Sequence, residues 1–362
     1  MAETERGICS FIISATGENK MKRKPILALL TISLALMLFS PLIIQACYFP
    51  WFRPRIDPIV STHWLNANLD NERLVILDVR TLDEYNLGHI PGAIHSPGIY
   101  NWAIGAPFVD PPPWLEVPPT DDLVASLEAH GITKYSWVVV VGNTAGPMPP
   151  NAPFPLGFFN IADITRVAMT LVYAGVRNVA ILDGGWQAWL DDYPDVWDTE
   201  VPSITPSTYD GTVKEWMIVD TAYVENRPCR SVLIDARDEI VYNGEMVEPW
   251  APNSPGHIEG ARNLPAPTLW VPEFDADGNL ASATYQDIRT LREMAREVIG
   301  GRWFGWRWLC CYRREIIIYC GVGGYASTVF FVLSEVLGYR NVKVYDGSMQ
   351  AWDMAGNPTT DQ

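Results

Sequence analysis

The chain has 362 residues, a formal net charge of −16, 48% hydrophobic and 12% aromatic residues. That length holds about two domains, and the apolar content supports two packed cores without help from disulfides. The acidic balance argues against nucleic acid as a partner and against electrostatic adhesion to anionic lipid. The cysteines, Cys9, Cys47, Cys229, Cys310, Cys311 and Cys320, include no CxxC pair and have no histidine cluster beside them. They form neither a zinc pattern nor a disulfide framework, so no metal is expected.

Residues 1–20 read as a leader or an over-extended start, since Met21 directly precedes the basic Lys22, Arg23 and Lys24. An uncharged apolar run from Pro25 to Ala46 follows. Segment 21–47 has the order of a secretory signal and is also long enough to span a bilayer uncleaved. The string Ile44-Gln45-Ala46-Cys47 resembles a bacterial lipoprotein signal, which implies lipidation at Cys47. Either reading puts the rest of the chain outside the cytoplasm on a membrane tether, because the positive flank stays inside. Residues 1–46 carry a net charge of +2, which leaves −18 for the remainder.

Beyond this segment the chain reads as two copies of one pattern. In the first copy, a strand at Val75–Val79 carries Asp78-Val79-Arg80, and a loop with Gly88-His89-Ile90 follows. The Pro-rich stretch Pro107–Pro119 is expected as a surface loop. Thr120-Asp121-Asp122 opens a helical pattern through Leu123, Val124 and Leu127, with a capped start. A strand at Trp137–Val141 runs into Gly142-Asn143-Thr144-Ala145-Gly146 and the Pro-rich Pro147–Pro155. Ala174–Trp189 then closes the copy with a strand and Asp183-Gly184. Glu200–Tyr209, rich in Pro, Ser and Thr, reads as the linker.

In the second copy Val232–Arg237 repeats Val75–Arg80, Gly256–Ala261 repeats Gly88–Ala93, and Leu337–Trp352 repeats Ala174–Trp189, at offsets of 157, 168 and 163 residues. Two copies at that spacing are whole domains, not solenoid units. Strands alternating with helices imply an α/β fold with a mostly parallel sheet covered by helices on both faces. The domains are expected at 58–197 and 213–358, joined by 198–212. The second copy carries a Trp- and Arg-rich insert, Gly301–Cys311, read first as packing on its own domain and second as a membrane or partner contact. Cys310 and Cys311 are read as buried thiols first, and as redox partners of Cys320 second.

The chemistry concentrates between Glu315 and Trp352. A buried parallel strand at Ile316–Tyr319 ends at Cys320, then come Gly321, Val322, Gly323, Gly324 and Tyr325, and an apolar helical pattern from about Ala326 to Leu337. Loop N–H groups converging on Cys320, with a helix N-terminus behind them, favour the thiolate, which is the nucleophile. The first copy has no cysteine at the matching place and is expected to be inactive. His257 and Asp346 recur there as His89 and Asp183, so both are expected to be architectural.

The string Cys320–Ser327, followed by Tyr345-Asp346-Gly347-Ser348 and Ala351-Trp352, resembles the rhodanese family of thiosulfate and mercaptopyruvate sulfurtransferases. The resemblance spans nearly all of 58–358 and implies tandem rhodanese-like domains with Cys320 as the sulfur-bearing residue. It implies a site formed by Gly321, Val322, Gly323, Gly324, Tyr325, Ala326 and Ser327, with Arg237 holding a small anionic donor. The alternative for Arg237 is a structural ion pair with Asp235. No cofactor is implied. A thiophilic acceptor, cyanide or a thiol, would take the sulfur. Gly321 and Gly323 match the mercaptopyruvate-type loop, while Val322, Gly324 and Tyr325 depart from both types. A phosphatase of the same fold needs an arginine where Ala326 stands. The rival reading is a non-catalytic sulfur carrier or binding module.

Overall fold

The computed structural model describes residues 56–98, 102–105, 110, 112–147, 157–300 and 314–361. Segment 21–47 with Cys47 lies outside the described residues, as do the insert 301–311 and most of the Pro-rich run after Gly146. No helix among the described residues is long and apolar enough to cross a membrane.

The first domain runs β1 (Ile59–Val60), α1 (Thr62–Asn66), β2 (Leu74–Asp78), α2 (Leu82–Leu87), β3 (Ile94–His95), α3 (Thr120–Ala129), β4 (Trp137–Val141), α4 (Gly157–Ala174), β5 (Asn178–Leu182) and α5 (Gly185–Asp192). The second runs β6 (Ile218–Val219), α6 (Thr221–Glu225), β7 (Val232–Asp235), α7 (Glu239–Tyr242), β8 (Ala261–Asn263), β9 (Trp270–Phe274), β10 (Leu280–Tyr285), α8 (Ile288–Ile299), β11 (Ile316–Tyr319), α9 (Gly324–Phe331), β12 (Val342–Tyr345) and α10 (Ser348–Met354). The sheets have orders β1-β5-β4-β2-β3 and β6-β12-β11-β7-β8, and every pairing within them is parallel. The duplicated sequence therefore folds into one topology made twice.

Side chains in each sheet alternate between two cores, as strand geometry requires. Val138 and Val140 of β4, with Ile316 and Ile318 of β11, belong to a core continuous between the domains. Val139 and Val141 face a core of the first domain alone, and Ile317 and Tyr319 one of the second. The shared core is built on α4 against α9. Thr165 and Thr328 hydrogen-bond across this seam at 2.7 Å, and the Phe159 and Tyr325 rings stack with centroids 5.4 Å apart. The offset between these threonines is again 163 residues, so the seam is a local two-fold.

Three local expectations change. α3 starts at Thr120, but its N-cap is Pro119 and no side chain caps it; Asp121 and Asp122 favour the first turn through the helix dipole instead. α9 begins at Gly324, two residues ahead of the apolar pattern, and continues from Val332 to Val336 as a π-turn. The antiparallel pair β9–β10 interrupts the second copy. This hairpin docks on the first domain: Gly146 and Leu280 exchange backbone hydrogen bonds of 2.9 and 3.0 Å, and the Tyr285 N–H donates to Asp183 at 2.9 Å.

Candidate active site

β11 delivers Cys320 to the carboxyl end of its sheet, on the face shared with the first domain, where it is 3% exposed. Its N–H donates to Ser348 Oγ at 3.1 Å, and that hydroxyl donates to the Tyr345 carbonyl at 2.9 Å. Ser348 holds a left-handed φ of 51° to do this, a conformation a non-glycine residue adopts rarely. The loop then curls back on the sulfur. Gly323 N–H donates to Sγ at 3.1 Å, and the N–H groups of Ala326 and Val322 favour its charged form. The turn puts Gly323 at φ 94°, so glycine is required there.

Ser327 is not part of this cradle. Its N–H donates to the Gly323 carbonyl at 3.1 Å and its hydroxyl to the Gly324 carbonyl at 2.5 Å, both back into α9. Tyr325 is buried against Phe159 and lines the site from the side.

Burial works against the expected thiolate. Burial pushes the Cys320 thiol up, the Ala326 N–H pulls it down, the Glu248 carboxylate pushes it up again, and the Gly323 and Val322 N–H groups pull down; the balance lies above the usual thiol range. Desolvation of the charged form wins over hydrogen bonding to it.

Glu248 and Trp250 escape a reading of the sequence because they sit in an irregular segment between α7 and β8. They press directly on the residue after Cys320. A Cβ on Gly321 would stand 2.3 Å from Trp250 Nε1 and 2.9 Å from Glu248 Oε1. Glycine at 321 therefore admits a wall over the loop, and no left-handed φ is involved. Glu248 is 14% exposed and accepts a 3.3 Å hydrogen bond from Arg237 Nη1. Burial, partly countered by Arg237, pushes its carboxyl up to about 7.

Arg237 is 2% exposed. Its Nε and Nη2 are taken by Asp235, with Nη2 at 2.6 Å from Oδ2, and Nη2 also donates to the Gly256 carbonyl at 2.7 Å. Arg80 makes the same fork with Asp78 and the Gly88 carbonyl in the first domain. The structural pairing is thus common to both copies, and what sets Arg237 apart is its grip on Glu248. His257 and His89 are equally matched: each stacks on a tyrosine, Tyr242 or Tyr85, and hydrogen-bonds that tyrosine's carbonyl at 2.9 Å.

In the first domain Gly142 stands where Cys320 stands in the second. Its carbonyl accepts from Trp186 N–H as that of Cys320 accepts from Met349 N–H, both at 3.0 Å. A Cβ on Gly142 would meet Ile164 Cγ1 at 2.6 Å and Val79 Cγ2 at 2.9 Å. At the same 163-residue offset, Ile164 corresponds to Ser327. The first copy has neither the thiol nor the space for one.

That domain nonetheless reaches into the second. Arg166 of α4, 1% exposed, donates from Nη1 to Asp346 Oδ1 at 2.6 Å, and Val117 N–H donates to Asp346 Oδ2 at 2.6 Å. Arg166 Nη1 lies 3.0 Å from the position of a Gly323 Cβ, so a cation from the first domain backs the Cys320 loop. Its Nε and Nη2 are buried with no acceptor among the described residues. Trp114 N–H adds a 2.8 Å bond to Gln350 Oε1. A cleft of about 510 Å³ beside Asp346, lined by Glu116, Trp216, Lys343 and Tyr345, is not lined by Cys320. No group of side chains among the described residues is arranged to hold a metal ion.

A search of solved structures finds the same fold in the anaerobic ergothioneine biosynthesis enzyme of Chlorobium limicola in complex with trimethyl histidine. That match has a TM-score of 0.62 and 22% identity, covering 82% of this chain and 68% of that one. Among curated proteins, the sulfur carrier protein TtuD of Thermus thermophilus is 28% identical, over 83% of this chain and 96% of its own length. A putative thiosulfate sulfurtransferase of Haloferax volcanii is 29% identical over 83% of this chain and 96% of its own length. The Rhodanese-like domain profile matches twice, at residues 61–192 and 221–355. With the sheet topology duplicated and one copy of the loop closed on a cysteine sulfur, the chain belongs to the rhodanese family as a tandem of two such domains.

Proposed function

We propose that the protein is a sulfurtransferase that moves a sulfane sulfur from thiosulfate or 3-mercaptopyruvate to cyanide or a thiol through a persulfide on Cys320. The observation that carries this is the cysteine sulfur held at 3.1 Å by the Gly323 N–H inside a ring of loop amides. Cys320 Sγ attacks the donor's outer sulfur, the bond from that sulfur to sulfite or to the pyruvate carbon breaks, and the leaving group departs with the bonding pair. The terminal sulfur of the persulfide carries negative charge that the amides of the loop from Gly321 onward stabilise. The acceptor then attacks this sulfur and restores Cys320, which gives ping-pong kinetics. No organic cofactor takes part.

The curated relative named a sulfur carrier supports a second reading, in which Cys320 is loaded by another protein and passes its sulfur on. The N-terminal basic-then-apolar segment supports an extracytoplasmic location on a membrane tether, lipidated at Cys47 or held by the uncleaved span. Mass spectrometry of the protein after brief exposure to each donor tests the main reading. A gain of one sulfur atom at Cys320, removed by cyanide with release of thiocyanate and absent in Cys320→Ser, is expected. Accessible Cys320 that gains no sulfur from either donor would overturn it in favour of the carrier.

A further inference from the structure

Resting on that reading, we infer that Glu248 is the proton carrier of the sulfur transfer, and that it directs the site to donors whose departing atom must be protonated. Burial favours the thiol form of Cys320, so a proton has to leave Sγ before or during attack. The loop offers only N–H donors and no base. Glu248 is the carboxylate that borders it: Oε1 lies over Gly321, the residue bonded to Cys320, and Oε2 is anchored on Arg237 Nη1 at 3.3 Å. Trp250 packs against the same face of Gly321, beside the carboxylate.

The charged groups around it fix its behaviour. Arg237 favours the carboxylate, Asp235 opposes it, and burial opposes it most, so both protonation states are accessible near neutrality. Burial pushes Asp238 up to about 6, and burial, with Asp238, Cys320 and Glu248 adding to it, raises the Tyr325 hydroxyl. Over Gly321 the wall thus carries a carboxylate, and the Arg237 guanidinium beside it is committed to Asp235, the Gly256 carbonyl and Glu248.

The proton count separates the donors. With 3-mercaptopyruvate, Glu248 takes the Sγ proton, the C–S bond breaks to leave the pyruvate enolate, and Glu248 returns the proton to the methylene carbon. The products are Cys320 hydropersulfide and pyruvate, with no oxidant or reductant needed. An alkyl hydropersulfide follows the same course, its thiolate leaving as a thiol. Sulfite leaves thiosulfate as a stable anion that needs no proton, and thiosulfate must bring two negative charges against the carboxylate wall. The site is matched to a thiolate or enolate leaving group.

The test is single-turnover loading of Cys320, followed by mass spectrometry from pH 5.5 to 9.5, for wild type and Glu248→Gln. The amide keeps the shape and the Arg237 hydrogen bond, and thermal melting checks that the variant folds. With 3-mercaptopyruvate as probe, Glu248→Gln is expected to load about 10²–10⁴-fold more slowly. Its pH limb should move from near neutrality to that of the thiol itself. Thiosulfate loading, which needs Glu248 only to take the Sγ proton and not to return one, should fall less, so the donor preference drops by at least about tenfold. Loading indifferent to Glu248→Gln, or an equal loss with both donors and an unmoved pH limb, overturns this inference and leaves the sulfurtransferase standing. No loading of wild type by either donor overturns both.

Discussion

Replacing Gly321 by alanine isolates the wall beside Cys320. The new methyl would lie 2.3 Å from Trp250 Nε1 and 2.9 Å from Glu248 Oε1, against about 3.4 Å for ordinary contact, so the indole must retreat by about 1 Å. Overpacking of this kind costs about 1–3 kcal/mol. The retreat also pulls Glu248 off Arg237, whose hydrogen bond is already 3.3 Å long. A 1 Å misplacement beside the reacting atoms costs about 10²-fold in rate. Gly324→Ala is the control in the same loop: its methyl meets Ala162 Cβ at 3.6 Å, an ordinary contact. Single-turnover persulfide loading of Cys320 should therefore fall about 100-fold in Gly321→Ala and less than about threefold in Gly324→Ala. Equal effects from the two substitutions, or a Gly321→Ala enzyme that loads like wild type, would refute the assignment of the wall.

Arg166→Met strands a buried carboxylate on Asp346; breaking such a pair costs about 3–5 kcal/mol, partly offset by losing two donors that have no acceptor among the described residues. Thermal melting should fall by the equivalent of about 2–4 kcal/mol, and adding Asp346→Asn should recover at least half; an unchanged melting temperature in the single variant would contradict this. Asp163 of α4 is pushed up to about 7 by burial alone. Because its folded value lies above the unfolded one, the penalty is absent in acid, grows as pH rises from about 4 to 7 and is complete above that. Asp163→Asn should therefore stabilise at pH 8, by up to about 4 kcal/mol, and hardly at all at pH 4; equal effects at both pH values would rule this out. Gly142→Cys should gain no sulfur from either donor, since Ile164 occupies the space, whereas Gly142→Cys with Ile164→Ser should give a thiol that iodoacetamide labels in the folded protein. Persulfide on Gly142→Cys alone would show the space to be there after all.

The duplicated strands were legible because Val75–Arg80 and Val232–Arg237 repeat both a period and a charged pair, and buried parallel strands write themselves as apolar runs. Cys320 was legible because a glycine cluster after such a run has few other uses. The wall was not, since Glu248 and Trp250 lie in a stretch with neither period, and only the absence of a side chain at Gly321 ties them to the loop. Arg166 was hidden for another reason: it is one cation inside an apolar helix of the copy that lacks a cysteine, and its partner is 180 residues away. The thiol's upward shift was missed because loop amides can be inferred from glycines, while burial by a neighbouring domain has no local signature. The β9–β10 hairpin is a polar-alternating insertion in one copy only, invisible to a comparison of repeats.

The seam between α4 and α9 also bears on how such a chain can change over generations. Thr165 meets Thr328, its own counterpart, while Arg166 meets Asp346 with no reciprocal cation on the other side. A substitution on one helix of this seam is felt at once by the other half, so the two copies are constrained together there even as their loops drift apart. The half without a thiol is in this sense not a relic: with Arg166 behind Gly323 and Phe159 against Tyr325, it is a heritable part of the reacting half's surroundings, and gene fission between the copies would leave neither product with a finished surface.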